Sequence, residues 1–452
     1  MHYYSRAIDK ELVEWKNSTR HKPLLIRGAR QVGKSTAVRH LGETFDHYLE
    51  VNLERDPEAA VFFKQGYDVN VILSKLSAYY SVTIVPGSTL LFIDEIQNCM
   101  QAIEALRFFW EDMPELHVIG AGSLLEFALQ DIPTFAVGRI RSFYMYPMSF
   151  DEYLEAVGQA GLIALKQKAD SKHPLDDVFH NRLVNLFRDY IMIGGMPEAV
   201  AEWMESKDYL KVSQVHDDIV TGYDRDFAKY KKRISPDLIR LTLNSVVHQM
   251  GQKFVYHKVS DEYQSAQVKE ALRLLTLAGL ITPVIHTDAN GLPLNSEQNS
   301  RYIKYIYLDC GLMLRILGIE TNSQEGLRRR FLSDSASDLV NKGSVAEMIA
   351  GCELIKYSMI NHSGNLNYWV RTEKNSVAEV DYIIVKDGAV TPVEVKAGTR
   401  GGMKSMYMFL DKKGLQRGIR ICLENFSEYE NGSHRISVIP LYALSGIYRN
   451  TP

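Results

Sequence analysis

The stretch GARQVGKST, Gly28 to Thr36, combines two glycines, a lysine and two hydroxyl side chains at a spacing suited to holding phosphate. The glycines let the backbone amides of Gly28, Ala29, Arg30, Gln31, Val32 and Gly33 wrap a phosphate group, and a following helix N-terminus adds its dipole. Lys34 supplies a point charge, and Ser35, followed by Thr36, a hydroxyl ligand for magnesium. The apolar run Leu24 to Ile26 precedes the motif and a helical pattern follows it, the strand–loop–helix context that a phosphate-binding loop requires. LLFIDE, Leu90 to Glu95, is a second apolar run, ending in two acids. Asp94 is placed to order the magnesium ion and Glu95 to polarise a water; a solvated acidic turn is the competing reading, and it loses weight beside the glycine-rich loop. VIGAGS, Val118 to Ser123, brings Ser123 to the end of a third run, where it could touch the terminal phosphate or the attacking water. VGRIRSF offers Arg139, and after it Arg141, as cations for the transferred phosphoryl group, from the same chain or a neighbouring subunit. An ordinary salt bridge competes for each arginine.

A second constellation lies near the C-terminus, in AEVDYIIVKDGAVTPVEVKAG. Asp387-Gly388 between two β-rich runs is a strong signal for a two-residue type I′ hairpin. Setting Lys386 against Ala389 and counting outward places Asp381 across from Glu394 and Glu379 across from Lys396. Residues opposite one another, or two apart on one strand, share a face, so Asp381, Glu394 and Lys396 project together. Facing carboxylates cost stability unless a cation lies between them. Oxygen ligands suit magnesium or manganese, and Lys396 could orient a water attacking a phosphodiester. A surface hairpin laced by cross-strand salt bridges is the plainer alternative.

Positioning these groups takes more than one domain, and 452 residues suggest about three. From Lys22 to about Phe150, apolar runs alternate with helical patterns, which predicts a parallel sheet covered by helices. Helical spacing then dominates to about Tyr230, as in FHNRLVNLFRDYIM, with a turn at GGMP, Gly194 to Pro197. Two further helical stretches and the strand-like TPVIHT and YIKYIYLD predict a winged helix, whose second helix, SAQVKEALRLLTLAGL, has Lys269 and Arg273 but no strongly basic face. The run YDRDFAKYKKRISP, with Lys229, Lys231, Lys232 and Arg233, is the better phosphate contact, although such a run is commonly just a solvated face. A composition of 46% hydrophobic and 24% charged residues is that of a globular protein, with no apolar segment long enough to span a membrane. The charged N-terminus argues against export, and four scattered cysteines fit reduced thiols in the cytoplasm. A net charge of -3 supplies no global field for nucleic acid.

The motifs at Gly28 to Ser35, Leu90 to Glu95 and Gly120 to Ser123 resemble those of the AAA+ superfamily, in the bacterial and archaeal group whose ATPase precedes a nuclease-like domain. GGMPEAV, Gly194 to Val200, is similar to the glycine-proline motif of STAND-type ATPases. That resemblance implies ATP rather than GTP and makes Pro197 a nucleotide sensor, against the bland reading of a helix-ending turn. No second sensor arginine fits a motif. The D…ExK arrangement resembles the PD-(D/E)xK restriction-endonuclease-like family, which implies a helical glutamate in the metal site; Glu347, in GSVAEMIAGCELI, fits that place.

The fold expected is therefore α/β: a P-loop (AAA+) ATPase domain over 1–150, a helical lid over 151–234, a winged-helix region over 235–325, and a restriction-endonuclease-like domain over 326–452. The function expected is ATP hydrolysis with Mg2+, controlling a metal-dependent nuclease-like domain that acts on or binds nucleic acid, DNA ahead of RNA. Two alternatives stand beside it, a STAND-like switch with a catalytically inactive module and a DNA-stimulated remodelling ATPase. A nucleotide-dependent homo-oligomer is in keeping with each, and no membrane partner is expected.

Overall fold

The computed structural model describes residues 2–130, 138–228, 234–318, 342–358, 364–371, 378–397 and 402–448. They form two compact units, one running to Tyr146 with Leu277–Gly279 added, the other from Pro147 to Thr276 and from Leu280 onward.

The first unit is built on five strands, β1 (Leu24–Arg27), β2 (His47–Asn52), β3 (Thr89–Asp94), β4 (His117–Ala121) and β5 (Arg141–Tyr144). They pair in the order β2-β3-β4-β1-β5, and every pairing is parallel. All residues of β3 and β4 are buried, as expected of strands covered on both faces. Leu25, Leu91, Ile93 and Val118 pack with Ile72, Leu76, Ile103, Leu106 and Phe109 of the covering helices, each such side chain contributing about 1.5–3 kcal/mol on burial. Register sets Ile26 beside Ala121 and Ala121 beside Asp94, so the carboxyl ends of β1, β4 and β3 lie side by side.

The second unit opens with five helices, Phe150–Ala156, Ala160–Lys168, Asp177–Ile193, Pro197–Ser206 and Tyr209–Phe227, where helical spacing predicted them. The turn between the third and fourth is held tightly: Asp309 Oδ2 accepts the Gly195 N–H at 2.7 Å, and the Gly195 carbonyl accepts the Met148 N–H at 2.6 Å. Glu353 accepts the Phe150 N–H at 3.0 Å and the Tyr190 hydroxyl at 2.6 Å, and Lys356 donates to Tyr190 and Glu353, so this buried charge is paired throughout.

The remaining strands are β6 (Ile281–Thr287), β7 (Gln298–Tyr307), β8 (Leu366–Val370), β9 (Glu379–Lys386), β10 (Ala389–Val395), β11 (Arg417–Cys422), β12 (Ser427–Asn431) and β13 (His434–Pro440). They form one mixed sheet in the order β12-β13-β11-β10-β9-β8-β6-β7. The ribbon β6–β7, expected as the wing of a separate region, is instead the edge of this sheet, with β6 parallel to β8 through Val284–Leu366 and His286–Tyr368. Pairing with β8 removes the exposed edge that a lone ribbon would leave on β6. The β9–β10 hairpin has the register expected, Lys386 against Ala389 and Tyr382 against Val393, about a turn with positive φ at both Asp387 and Gly388. The basic run at 229–233 and the boundary expected near 325 lie outside the described residues. No helix among the described residues is long and apolar enough to cross a membrane.

A Cβ at Gly195 would stand 2.0 Å from the Met148 carbonyl oxygen, whereas one at Gly161, an exposed position of the helix Ala160–Lys168, would meet nothing within 4 Å. Gly195→Ala is expected to destabilise by about 1–3 kcal/mol and Gly161→Ala to stabilise by about 0.5–1 kcal/mol. Thermal melts of the two variants check this; a neutral Gly195→Ala would contradict the packing described.

Candidate functional site

The glycine-rich loop leaves β1 at Gly28 and enters the helix Lys34–Gly42. Its backbone takes left-handed values at Gly28, Gln31 and Gly33, and a Cβ at Gly28 would lie 2.1 Å from the Met145 carbonyl oxygen. Arg6 braces the loop, donating from Nη1 to the Val32 carbonyl at 2.8 Å and from Nη2 to that of Tyr146 at 2.7 Å. Sequence reasoning missed this brace, because no motif links Arg6 to a loop 26 residues away. No side chain caps the helix at Gly33, which suits its N-terminus to an anion. Lys34 is buried and donates to the carbonyls of Gly28 and Ala29 at 2.9 and 2.7 Å. Burial brings its ammonium down to about 8, against the opposing charges of Glu95 and Asp94.

Across the strand ends, Asp94 Oδ1 accepts the Ser35 hydroxyl at 2.9 Å and Oδ2 accepts the Asn52 amide at 3.0 Å. Burial raises the Asp94 carboxyl, the Ser35 hydrogen bond opposes that, and the Glu95 charge adds to it. Glu95 has a left-handed backbone with φ 50°, strained for a side chain of this size, and Gln97 Nε2 donates to its carboxylate at 2.6 Å. Gln97 was not singled out from the sequence; a Cβ at Gly122 would lie 1.8 Å from its Oε1, so Gly122 is the residue that makes room for it. Ser123 is half-buried just past β4, the strand between β3 and β1. Thr36 is exposed on the first helical turn. The hard oxygens of Ser35 and Asp94, the uncapped helix and the Lys34 ammonium form a donor set that fits a nucleotide with a divalent cation.

One expected group lies elsewhere. Arg139 stands before the start of β5, and the register of Arg141 against Leu24 puts that strand's beginning at the opposite end of the sheet from the loop. Its guanidinium pairs with Glu111, which also accepts from Arg107 at 2.9 Å. Parallel strands impose this: a residue preceding a strand cannot reach a loop that leaves its neighbour's far end. Pro197 begins the helix Pro197–Ser206, in the second unit.

In the second unit, Glu347, Glu379 and Asp381 bring oxygens within 4.8 Å of one another. Glu347 comes from the helix Lys342–Lys356, and its Oε2 would lie 2.9 Å from a Cβ at Gly251. Asp381 Oδ2 accepts the Val395 N–H at 2.7 Å across the hairpin. Glu394 Oε1 accepts from Lys396 at 2.6 Å, while its Oε2 is buried with no partner. Glu379, expected to pair with Lys396, pairs with Lys304 instead. That lysine, on β7, also donates to Glu347 at 2.8 Å and lies 4.8 Å from the Tyr368 ring centroid. Burial opposes the Lys304 charge, but Glu347, Glu379 and Asp381 outweigh it and hold the ammonium above the usual lysine range. Burial, then the charges of Glu347 and Glu394, raises Asp381 well above the carboxylate range; burial also raises Glu394, against Lys396. Lys304 lies 75 residues before Glu379, and nothing in its local sequence points to the cluster. On the helix Ser265–Leu277, Arg273 pairs with Glu270 at 2.7 Å and Lys269 lies over the Tyr256 ring, so neither supports a basic reading face.

Residues 20–154 match an AAA domain, residues 184–323 a domain of unknown function (DUF8612) and residues 342–444 another (DUF4143). Among solved structures the chain is similar to a Walker-type ATPase of Pyrococcus abyssi, at 15% identity over 70% of this chain and 96% of that one, with a TM-score of 0.45. It is also similar to the RuvB Holliday junction branch migration motor of Thermotoga maritima, at 15% identity over 63% and 90% of the two chains, with a TM-score of 0.28. The Hsp104–ADP complex of S. cerevisiae matches at 12% identity over 61% of this chain and 38% of that one, with a TM-score of 0.28. No curated protein matches the chain. The AAA domain match and the loop geometry together make the first unit a P-loop ATPase domain.

Because burial lowers Lys34 to about 8 and bound phosphate restores its charge, nucleotide binding above that pH takes up a proton. Calorimetry at about pH 8.5–9 in buffers of different ionisation enthalpy is expected to give uptake that vanishes near pH 7; uptake equal at both would contradict the burial argument. Asp381 has the opposite consequence for stability. Its raised carboxyl stabilises the fold fully below the unfolded value of about 3.9, and that contribution is lost as pH rises through the folded value. Asp381→Asn should therefore gain melting temperature relative to the unsubstituted protein as pH rises above the unfolded value of about 3.9; a falling difference would contradict the shift.

Proposed function

We propose that the protein is an ATP-hydrolysing AAA-type ATPase whose nucleotide state controls its C-terminal module. The Ser35–Asp94 contact of 2.9 Å, joining the glycine-rich loop to the acid-ended strand, carries this reading. In it, Lys34 leaves the carbonyls of Gly28 and Ala29 to neutralise phosphate oxygens, and the loop from Gly28 to Gly33 cradles them with its amides. Ser35 and Asp94 hold Mg2+, which when bound neutralises charge on the phosphates. Glu95, held by Gln97, orients and polarises the attacking water, and Ser123 reads the terminal phosphate. Arg139, which precedes its strand, would serve only from a second copy of the chain, in a nucleotide-dependent homo-oligomer. Pro197 is retained as the sensor of the adenine side. Four buried, unbridged cysteines suit a cytoplasmic setting.

For the C-terminal module, Glu347, Asp381, Glu394 and Lys396 support a metal-dependent phosphodiesterase acting on nucleic acid, with Mg2+ or Mn2+ held by the three carboxylates and Lys396 positioning the nucleophile. A specific observation favours the second reading, a nucleotide-driven switch whose module binds without cutting: the Lys304 ammonium already bridges Glu347 and Glu379.

The purified protein is expected to hydrolyse ATP, with Lys34→Ala and Glu95→Gln each lowering the rate by about 100-fold or more. Unchanged hydrolysis in both would refute the ATPase reading. Incubation of plasmid and single-stranded DNA with Mn2+ separates the module's two roles: cleavage lost in Glu394→Ala supports the nuclease, and intact DNA beside active ATPase supports the switch.

A further inference from the structure

Four carboxylates, Glu347, Glu379, Asp381 and Glu394, interact in the second unit, and two ammonium groups face them. The two ammonium groups are not equivalent. Lys396 lies to one side, on a single oxygen of Glu394, and is 22% exposed. Lys304 is 3% exposed at its side chain and contacts Glu347 and Glu379, two of the three groups whose oxygens converge within 4.8 Å. It thus stands where a cation bridging those oxygens would stand. Glu394, whose charge acts on Asp381 and is acted on by Glu347 and Lys304, adds an Oε2 that is buried and unpartnered. A buried carboxylate oxygen without a donor is costly, and a positive centre is what would satisfy it.

We propose that Lys304 is the resident cation of this cluster and gates it, so that a divalent cation binds Glu347, Asp381 and Glu394 only when the Lys304 ammonium is withdrawn. Two positive charges a few ångströms apart that share the Glu347 carboxylate repel strongly, so occupancy is mutually exclusive. The ammonium also offsets the like-charge repulsion between Glu347 and Glu379. β7, which carries Lys304, is the outermost strand of the sheet, so a displacement of the β6–β7 ribbon withdraws the ammonium while β8 to β13 keep their pairing. Cation loading would then follow the position of the ribbon. The inference rests on reading the cluster as a cation site and deepens that reading, but its test measures metal binding, independently of ATP hydrolysis and of DNA cleavage.

The test uses the full-length chain without nucleotide, with Asp94→Asn throughout so that the first unit contributes no metal site. Mn2+ binding is followed by the loss of its free-ion electron paramagnetic resonance signal, and folding by circular dichroism. With Lys304 present, no tight site is expected. Lys304→Met should gain one Mn2+ site at least on the order of tenfold tighter, and adding Asp381→Asn should abolish it. Should Lys304→Met fail to fold, Lys304→Met with Glu379→Gln removes one charge of each sign, keeps the three proposed ligands, and should gain the same site. A tight Mn2+ ion in the protein that retains Lys304, lost with Asp381→Asn, would overturn the proposal. So would a folded Lys304 variant that gains nothing.

Discussion

The pairing of β4 between β3 and β1 is the contact on which the nucleotide site depends. Parallel strands end on the same side, so this order delivers the glycine-rich loop, the acids of β3 and Ser123 to one edge although they are spread over nearly a hundred residues of chain. The Ser35–Asp94 hydrogen bond is a consequence of that order, as is the strain at Glu95, which turns the chain sharply at the end of a fully buried strand. The same rule explains the fate of Arg139. A group that precedes β5 is carried to the opposite edge, whatever its charge could do if it were nearer.

Charge removed from water governs the second unit in a comparable way. An isolated buried carboxylate is untenable, and the chain meets this cost in two manners. Glu353 is saturated by the Phe150 N–H, the Tyr190 hydroxyl and Lys356, so it works as a structural joint. The cluster around Asp381 is incompletely satisfied, since it has a lysine, an orphaned oxygen and carboxyls pushed above their usual range. Incomplete satisfaction is what distinguishes a site poised for a ligand from a joint that is finished.

Legibility from sequence followed the range of the interactions. The loop at Gly28 to Ser35, the acids at Asp94 and Glu95 and the five strands around them could be read because each is a local pattern in an apolar context. The β9–β10 register could be read because Asp387-Gly388 fixes it within two residues, and the positive φ of both bears that out. What escaped is non-local. Arg6 bracing Val32, Gln97 filling the space beside Gly122, and Lys304 reaching Glu347 and Glu379 depend on strands and helices meeting across long separations. The ribbon β6–β7 was misassigned for the same reason. Its local pattern is that of a hairpin, and nothing in TPVIHT announces β8, some eighty residues on, as its other neighbour.

The central claim is that the chain has one site ready for a nucleotide and its divalent cation and a second whose cation is its own lysine. A crystal structure grown with a non-hydrolysable ATP analogue and Mn2+, with manganese located by anomalous scattering, tests both halves at once. The account predicts the analogue in the loop from Gly28 to Thr36, a manganese peak beside Ser35 and Asp94, and none among Glu347, Asp381 and Glu394 while Lys304 holds its contacts. An empty loop, or manganese among those carboxylates with Lys304 still in place, would contradict it.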